Sequence, residues 1–215
     1  MPGTIPNPVW IFRMVHISNL EYVLTHGIHT RNHPNADPNY INIGDTELIS
    51  KRSTWPVKID PPGGMLGDYV PFYFGGHSPM LLKIKTGHGG VKMRSQSEIV
   101  FLCCKLDVTT TECAEWCFTD GHAITKITNY YTDLNDLSNV HWDCVKLRYW
   151  NPIDNNLDRE RRKQAEFLVK HEVPPKCIGG IIVFDQPACN TVDFLLKKHN
   201  IQIRIKVDQQ RNYYY

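Results

Sequence analysis

The sequence predicts an α+β fold, in which short strands are interspersed with a few capped helices. The apolar runs at 99–104 and 167–169 have the length of buried strands. Residues 201–207 alternate apolar and polar side chains, as a half-buried strand does. Helix signals are few, and no internal repeat is visible. A chain of 215 residues is long enough for a sizeable core, so we expect one domain over residues 1–215.

The beginning of the chain predicts a strand and a short helix. Residues 9–15 are an apolar run of strand length. Ser18 and Glu21 have the spacing of a capping box, which predicts a helix that Ser18 caps and Gly27 ends. Residues 28–64 are rich in Asn, Pro, Asp and Gly and show little periodicity. We therefore expect a long irregular connection there, and such a length is more typical of a functional loop than of an idle one.

The rest of the chain alternates regular and irregular stretches. Pro71 predicts that the aromatic strand 68–74 lies at an edge or a bulge. Ser78, followed by a proline, predicts the start of a helix at Met80. Residues 121–164 are again irregular, with helical tendencies at 134–140 and 143–147. The remaining predicted elements are strands at 99–106, 116–118, 166–170, 180–184 and 201–207, and helices from residue 107 and at 191–199.

Charge and hydropathy restrict the class of protein. The formal net charge of +2 alone argues neither for nor against a nucleic-acid partner. Basic residues cluster at 83–94 and 159–163; such clusters can follow a phosphate backbone, but a solvated face is the commoner explanation. No apolar run approaches the length of a membrane span, and the beginning lacks a signal pattern. We expect a cytoplasmic protein that does not contact membranes.

The cysteines predict neither a disulfide framework nor a metal site. Their number, seven, is odd. Cys103 and Cys104 lie in an apolar run and have the character of small core residues. Cys113 and Cys117 lack a second pair that would complete a zinc site, and the nearby His122 is not enough. We expect reduced thiols and no metal.

Glu166 is the most informative residue of the sequence. It follows the basic segment 161–163 and opens the apolar run 167–169, so it lies where a strand enters the core. A lone carboxylate is costly to bury, and such positions often carry chemistry. The simpler alternative is an edge-strand acid that pairs with Arg162 or Lys163. Residues alone leave both interpretations open.

No phosphate loop, dinucleotide glycine fingerprint, serine-hydrolase elbow or HExxH helix is present. The chain instead resembles the DarT family of DNA ADP-ribosyltransferase toxins. The resemblance rests on distinctive blocks that keep their order over most of the chain, namely FRMVHISNL at 12–20, PPGG at 61–64, DYVPFYF at 68–74, SPML at 78–81 and KQAEFLV at 163–169.

The resemblance implies a fold and a reaction. The fold is that of ADP-ribosyltransferases, a split, strongly bent antiparallel β-sandwich with peripheral helices that binds NAD in its cleft. The reaction transfers ADP-ribose from NAD to a base of single-stranded DNA and releases nicotinamide. Arg52 and Glu166 match the family's catalytic residues, and the distance to the PPGG block favours Arg52 over Lys51.

The resemblance also implies a set of binding residues. Arg13, Met14 and Val15 match the strand that holds the nicotinamide amide through backbone groups. This position is often histidine in ADP-ribosyltransferases, whereas the histidine here is His16, so a side-chain role at residue 13 is in doubt. The segment 36–54 matches the family's NAD-binding loop. Further NAD contacts are expected at His16, Tyr22, Thr30 and Arg52, although Tyr22 could equally be a surface helix residue.

The segment 121–166 matches the loop that grips the DNA. The expected DNA contacts are Met80, His122, Arg148, Tyr149 and Trp150. Met80 could instead belong to the helix core, and Trp142 and Trp150 could be core residues of the loop. Single-stranded DNA suits the chemistry, because the reacting edge of a base is paired in a duplex.

The expected target base is thymine, with guanine as the alternative. The same fold could also modify RNA or protein. A nucleic-acid-binding module with a decayed active site is less compatible with the presence of both Arg52 and Glu166. The resemblance further implies a cognate antitoxin, a macrodomain-type ADP-ribosyl-hydrolase, and a bacterial cytoplasmic location.

Overall fold

A computed structural model describes residues 3–215, which form ten strands and seven α-helices. The strands are β1 (Trp10–His16), β2 (Ile28–His29), β3 (Tyr69–Tyr73), β4 (Ile99–Lys105), β5 (Trp116–Thr119), β6 (Tyr130–Tyr131), β7 (Glu166–Lys170), β8 (Glu172–Val173), β9 (Ile178–Val183) and β10 (Arg204–Val207). The helices are α1 (Leu20–His26), α2 (Thr46–Ser53), α3 (Pro79–Thr86), α4 (Leu106–Glu112), α5 (Trp142–Val145), α6 (Arg159–Lys163) and α7 (Gln186–Lys198).

Eight strands form one sheet in the order β10-β9-β4-β1-β3-β7-β5-β6, and β2 pairs with β8 separately. All neighbours are antiparallel except β9 and β10, which are parallel. Over the described chain β1 pairs with β4 at every position from Trp10 to His16, but with β3 only at Phe12↔Tyr73. The sheet is therefore divided between β1 and β3. This large antiparallel sheet with peripheral helices agrees with the predicted fold class.

The alternation of side chains along β7 explains how the sheet carries both a core and a site. Phe167 and Val169 point into the main hydrophobic core, which also contains Phe72 of the neighbouring strand. Leu168 belongs to a smaller apolar cluster on the opposite face. Because strand side chains alternate with a period of two, Glu166 lies on the same face as Leu168. The core face thus fixes the register that places Glu166.

Both segments expected to be irregular contain regular elements. β2 and α2 lie within 28–64, and β6 and α6 lie within 121–164, so the irregular prediction is wrong at these places. The helical tendencies predicted at 134–140 and 143–147 correspond to a 3₁₀ helix at Leu134–Asn139 and to α5. None of the residues of α2 is buried, which removes the apolar periodicity from which a helix is recognised. α6 is the basic run Arg159–Lys163, which likewise lacks an apolar stripe.

Pro71 was predicted to lie in an edge strand or at a bulge, but it lies in a strand inside the sheet. The reason for the prediction, the missing N–H of proline, still applies. β3 lies between β1 and β7, and Pro71 pairs with Leu168. Proline has no N–H for a ladder. Because β1 and β3 pair only at Phe12↔Tyr73, Pro71, two residues before Tyr73, needs no ladder bond on the β1 side. The Pro71 carbonyl instead accepts a hydrogen bond from the Arg13 guanidinium at 2.9 Å.

Two helix starts also differ from prediction. The Ser18–Glu21 capping box is wrong, because α1 begins at Leu20 after a 3₁₀ turn at Ile17–Asn19. Glu21 instead pairs with Lys198 on α7. α7 begins earlier than the predicted 191–199, because the Asp185 side chain accepts from the backbone N–H of Ala188 and proline occupies the first turn. The Ser78 cap of α3 is confirmed, since its hydroxyl accepts from the N–H of Leu81.

All seven cysteines are free thiols, and Cys103 and Cys104 are buried as predicted. Burial raises the pKa of the Cys103 thiol to about 12. Among the described helices, none is both long and apolar enough to cross a membrane.

Candidate active site

Glu166 is buried at the beginning of β7, with 3 % of its surface exposed. β7 lies between β3 and β5, so Glu166 is not on an edge strand. One carboxylate oxygen, Oε1, accepts a hydrogen bond from the Ala123 backbone N–H at 3.0 Å. Its own backbone N–H donates to the Thr119 hydroxyl at 3.0 Å. The Ala123 N–H therefore holds the carboxylate, and the Thr119 hydroxyl holds the backbone of Glu166.

The partner of Glu166 is Arg52, which is 114 residues away in the sequence. The Arg52 Nη1 donates to Oε2 of Glu166 at 2.8 Å. Arg162 pairs with Asp158 of its own helix, and Lys163 points to backbone carbonyls. The alternative of a local pair with Arg162 or Lys163 is therefore wrong.

The helix α2 brings Arg52 to this position through contacts at both of its ends. At its start, the Asp45 side chain accepts from the backbone N–H groups of Glu47 and Leu48 and pairs with Lys83 at 3.1 Å. At its end, the backbone of Ser53 lies against Gly67; a Cβ at Gly67 would come within 2.9 Å of the Ser53 Cα. Only a residue without a side chain permits this approach. Arg52 in the last turn is thus held over β7.

The Arg52 guanidinium retains hydrogen-bonding capacity. Its side chain is 12 % exposed, and within residues 3–215 its buried Nη2 has no hydrogen-bond partner. A buried, unsatisfied donor on a charged group costs free energy unless a ligand acceptor reaches it. Because Nη1 is already bound to Glu166, the free Nη2 can bind an anionic oxygen without releasing the carboxylate. The arrangement suits a phosphate beside the carboxylate.

β1 presents backbone groups next to this pair. Because it pairs with β3 only at Phe12, the edge of β1 beyond that residue carries backbone groups without a β3 partner. The side chains of Met14 and Val15 are buried, so these residues can contribute only main-chain groups. The Arg13 side chain is used to bridge the divide to Pro71. This geometry favours backbone recognition of a flat amide.

Tyr73 was not predicted as a site residue, yet the structure places it at the centre. It lies directly across from Glu166 in the β3–β7 ladder and across from Phe12 in the β1–β3 pair. Burial, followed by the charge of Glu166, raises the pKa of Tyr73, while Arg52 and Arg13 act in the opposite direction. Its phenol therefore stays protonated and can donate a hydrogen bond. The signal was the alternation of the aromatic strand, which leaves Tyr73 on the face opposite the buried Phe72.

His122 lies beside the same pair, at the start of the 121–166 segment. Burial lowers the pKa of His122; Glu166 opposes this effect and Arg52 adds to it. The imidazole is therefore neutral at pH 7. The backbone is fixed here because the His122 N–H donates to the Arg161 carbonyl at 2.9 Å and the next N–H binds Glu166. The structure thus brings together Arg52, Glu166 and His122.

Lys163 is a buried cation that connects the 121–166 segment to the body. Its Nζ donates to the carbonyls of Gly76 and Val145, both at 2.6 Å. Burial lowers the pKa of Lys163 to about 7. The basic run 159–163 is therefore not a free solvated face, since Lys163 is buried and Arg161 pairs with Asp120.

Two further predicted residues, Tyr22 and Thr30, lie around residues 28–45, together with Asn19, which was not predicted. Tyr22 donates from its hydroxyl to the Asn35 carbonyl at 2.9 Å. Thr30 is buried, and its N–H donates to the carbonyl of His171. Asn19 binds both the N–H and the carbonyl of Ile41 at 2.9 Å and anchors the loop that precedes α2. Tyr22 is therefore bound to this connection.

His16 is turned away from solvent. Its Nδ1 accepts from the Ser18 N–H at 3.2 Å, and its Nε2 lies 3.5 Å from Glu98. Burial, then the charge of Arg94, lowers the pKa of His16. The His16 ring is thus held at the end of β1 by Ser18 and lies near Glu98.

Trp150 is held by an aromatic residue from the other end of the chain. Its indole N–H donates to the Tyr215 hydroxyl at 2.9 Å, and that hydroxyl donates to the His77 carbonyl at 2.7 Å. His77 precedes the cap of α3, whose first turn contains the half-buried Met80. These contacts place Trp150 near the start of α3. Trp142, in contrast, is buried and donates to the Leu137 carbonyl, so it is a core residue.

Arg148 and Tyr149 precede Trp150 on the surface. The Arg148 Nη1 donates to the Arg211 carbonyl at 3.2 Å, and its guanidinium lies 5.9 Å from the centre of the Tyr149 ring. Tyr149 is 75 % exposed. An exposed aromatic ring beside a cation is the combination that stacks on bases and follows phosphates.

The sequence matches a known protein family over nearly its whole length. The model of a family described as ssDNA thymidine ADP-ribosyltransferase, DarT, matches residues 12–215. The chain belongs to the DarT family. It is 36 % identical over 200 residues to a DNA ADP-ribosyl transferase of Escherichia coli O127:H6, covering 93 % of this chain and 91 % of that one. A DNA ADP-ribosyl transferase of Thermus sp. strain 2.9 is 32 % identical, with complete coverage of both chains.

Solved DarT structures have the same fold. Thermus sp. 2.9 DarT in complex with ADP-ribosylated ssDNA superposes with a TM-score of 0.87 at 28 % identity, over 100 % of both chains. The same protein in complex with NAD+ gives a TM-score of 0.83 over 99 % of this chain and 100 % of that one. The predicted family, fold class and enzyme class are confirmed. Members of the DarT family are NAD-dependent ADP-ribosyltransferases, and NAD is the co-substrate that was predicted.

Proposed function

We propose that this DarT-family chain is a toxin that transfers ADP-ribose from NAD to a thymine of single-stranded DNA, with Arg52 and Glu166 as its catalytic residues. The observation that supports these roles is the buried ion pair between them, in which one guanidinium nitrogen stays free. Residues distant in sequence share a buried site at the divide of the sheet, where backbone groups of β1 have no β3 partner.

Glu166 stabilises the transition state and accepts a proton. When the bond between nicotinamide and the ribose C1′ breaks, positive charge develops on the ribose, and a buried carboxylate is complementary to it. The base nitrogen forms the new bond to C1′ and loses its proton to Glu166, while the electron pair of the broken bond leaves with nicotinamide. The Ala123 N–H and the Arg52 guanidinium each bind one oxygen of the carboxylate and so fix its position for this step.

Arg52 orients both substrates around this carboxylate. Its Nη1 fixes Glu166, and its unpartnered Nη2 is available for a pyrophosphate oxygen of NAD or a phosphate of the DNA. The phenol of Tyr73, kept protonated by burial and by Glu166, is a third group at this point and donates to a substrate oxygen. Tyr73 is thus added to the proposed site.

NAD binding involves both β1 and the loop before α2. Residues 13–15 bind the nicotinamide amide through backbone groups, because the side chains of Met14 and Val15 are buried. His16, Tyr22 and Thr30 shape the neighbouring wall, and the segment 36–54 covers the cofactor. The unpaired backbone edge of β1 supports this assignment.

The DNA lies against the segment 121–166. Tyr149 and Trp150 stack on bases, and Arg148 contacts phosphate. His122 and Met80 border the target base, since His122 is adjacent to Glu166 and Met80 lies in the first turn of α3. The neutral imidazole of His122 can donate or accept a hydrogen bond at a base edge.

The cellular context is proposed from the relatives. A protein of Thermosipho africanus, 22 % identical to this chain, is described as a fusion of a DNA ADP-ribosyl transferase and a DNA ADP-ribosyl glycohydrolase. We therefore expect an antitoxin that removes ADP-ribose from DNA. The seven free thiols are compatible with a reducing cytoplasm. We treat residues 1–215 as one domain, because a single sheet joins β1 with β10.

An oligonucleotide assay tests the proposal. The purified chain and NAD are incubated with single-stranded oligonucleotides that contain thymine, oligonucleotides from which thymine alone is omitted, and a matched duplex. Mass spectrometry should find one ADP-ribosyl group on thymine in the first sample only. An adduct on guanine would reject thymine as the target, and label in RNA or protein would reject DNA. The absence of every adduct would reject the transferase assignment for this chain.

A further inference from the structure

Two imidazoles and a carboxylate meet on the small β2–β8 sheet, and none of them belongs to the Arg52–Glu166 site. His29 and Glu172 are opposite each other in this antiparallel pair. His33 follows His29 by four residues after a turn, and the two rings stack with centroids 4.7 Å apart. One atom from each of the three side chains lies within 4.8 Å of the others. This position brings together three groups that ligate metals.

The two distances from the histidine nitrogens to the carboxylate match the ligand spacing of a tetrahedral metal site. The Nε2 atoms of His29 and His33 lie 3.4 Å and 3.6 Å from the same oxygen of Glu172. Zinc bonds of 2.0–2.2 Å at the tetrahedral angle separate neighbouring ligand atoms by about 3.3 to 3.6 Å. A charge-assisted hydrogen bond between nitrogen and oxygen is shorter, about 2.7 to 2.9 Å. The observed spacing leaves room for an ion between the three atoms.

The burial of His29 also suits a ligand role. Its side chain is only 5 % exposed, and its Nε2 lies 3.4 Å from the Glu172 carboxylate. His33 needs one adjustment, because its Nδ1 accepts from the Asn35 N–H at 3.2 Å. Binding through Nε2 requires the proton on Nδ1, so this long, exposed hydrogen bond would be exchanged for the metal bond.

We propose that His29, His33 and Glu172 form a binding site for a divalent transition metal, with Zn²⁺ as the ion that best suits two imidazoles and one carboxylate. The fourth position faces solvent, because Glu172 is on the surface. The ion would join the chain after α1 to β8, next to the backbone bond from the Thr30 N–H to the His171 carbonyl. The proposal does not depend on the transferase reaction, and the ion takes no part in that reaction.

Cobalt replaces zinc in tetrahedral sites and gives visible absorption, so it serves as the probe. The full chain, freed of metal by a chelator, is titrated with Co²⁺ and then with Zn²⁺. We expect visible bands that saturate at one equivalent of Co²⁺ and disappear on adding Zn²⁺. Zinc at about 100 times its dissociation constant should raise Tm by roughly 5 to 10 °C. Failure to bind one equivalent would refute the site.

Variants identify the ligands and do not depend on enzymatic activity. Glu172→Gln and His33→Ala should each weaken Co²⁺ binding by at least about tenfold. His88→Ala, which changes an exposed histidine two residues after α3, should leave it unchanged. Because Glu172 and His33 are not in the main core, their variants are expected to fold, and far-ultraviolet circular dichroism checks this. Unchanged binding in both variants would overturn the assignment. An intense near-ultraviolet thiolate band would also overturn it, since the ion would then be bound by cysteine.

Discussion

The replacement Glu166→Gln tests the central assignment with the smallest possible change. The carboxylate uses both oxygens, Oε1 for the Ala123 N–H and Oε2 for Arg52. A glutamine has one oxygen and one NH₂ group, so one of these two donors must face another donor. The variant therefore loses one charge-assisted hydrogen bond and leaves the buried Arg52 charge without its counter-ion.

The structure permits separate estimates for stability and for catalysis. A lost hydrogen bond to a charged group costs about 1.5 to 3 kcal/mol, which corresponds to a fall in Tm of roughly 3 to 12 °C for a chain of this size. Loss of a proton acceptor costs about 10² to 10⁴ in rate, and loss of transition-state charge stabilisation adds to this. We expect kcat/KM for the oligonucleotide to fall at least about 10³-fold, or about 4 kcal/mol.

The assay follows transfer of labelled ADP-ribose to a single-stranded oligonucleotide, well below the Tm of the variant. Glu160→Gln is the matched control, because it makes the same chemical change on an exposed residue of α6 and should keep wild-type activity and Tm. If Glu166→Gln keeps more than about a tenth of the wild-type kcat/KM, the catalytic role of Glu166 is refuted. The loss would then be smaller than the loss of a proton acceptor causes, about 10² to 10⁴ in rate.

Three further results are expected. Arg52→Lys should lower kcat/KM by about 10²-fold, because the guanidinium that binds both Glu166 and a phosphate is lost. Lys51→Ala, at an exposed residue, should change kcat/KM by no more than about twofold. A larger loss in Lys51→Ala than in Arg52→Lys would assign the catalytic role to Lys51. Burial lowers the pKa of Lys163 to about 7, below its value in the unfolded chain. Between these two pKa values the unfolded chain keeps a proton on Lys163 that the folded chain has lost. The free energy of unfolding therefore rises with pH there, by up to about 1.4 kcal/mol per pH unit. Denaturation of Lys163→Met from pH 7 to 10 should lack this rise, and an identical slope would contradict the assignment. Asn19→Ala should raise KM for NAD roughly tenfold, because the loop that precedes α2 loses both hydrogen bonds between the Asn19 side chain and the Ile41 backbone. An unchanged KM would contradict this prediction.

The strands that position Glu166 could be predicted from the sequence, because their residues are determined by burial. Phe167 and Val169 contribute to the main core, and the apolar run therefore reveals β7. The helix that carries Arg52 could not be predicted in this way, because α2 buries none of its residues. Its remaining signal was local, namely Asp45 as an N-cap with an acidic first turn.

Side-chain partners required the tertiary structure. Composition and spacing do not distinguish Arg52 from the nearer Arg162 as the ion-pair partner of Glu166; only the family resemblance placed Arg52 in the same site. Tyr73 was recognised as part of an aromatic strand, but only the cross-strand register places it opposite Glu166. Similarly, His29 and Glu172 are far apart in sequence and meet only because β2 pairs with β8.

The exposure of α2 has a consequence for how this protein can vary. Since its residues Thr46–Ser53 contribute nothing to the core, most of them can be exchanged without unfolding the chain. The exceptions are its cap Asp45 and Arg52, whose contacts with Lys83 and Glu166 attach the helix to the rest of the molecule. In a library of substitutions, this segment should therefore show two intolerant positions separated by a permissive stretch. Substitutions on its outer face could therefore abolish the binding of an antibody or inhibitor directed there with little loss of stability.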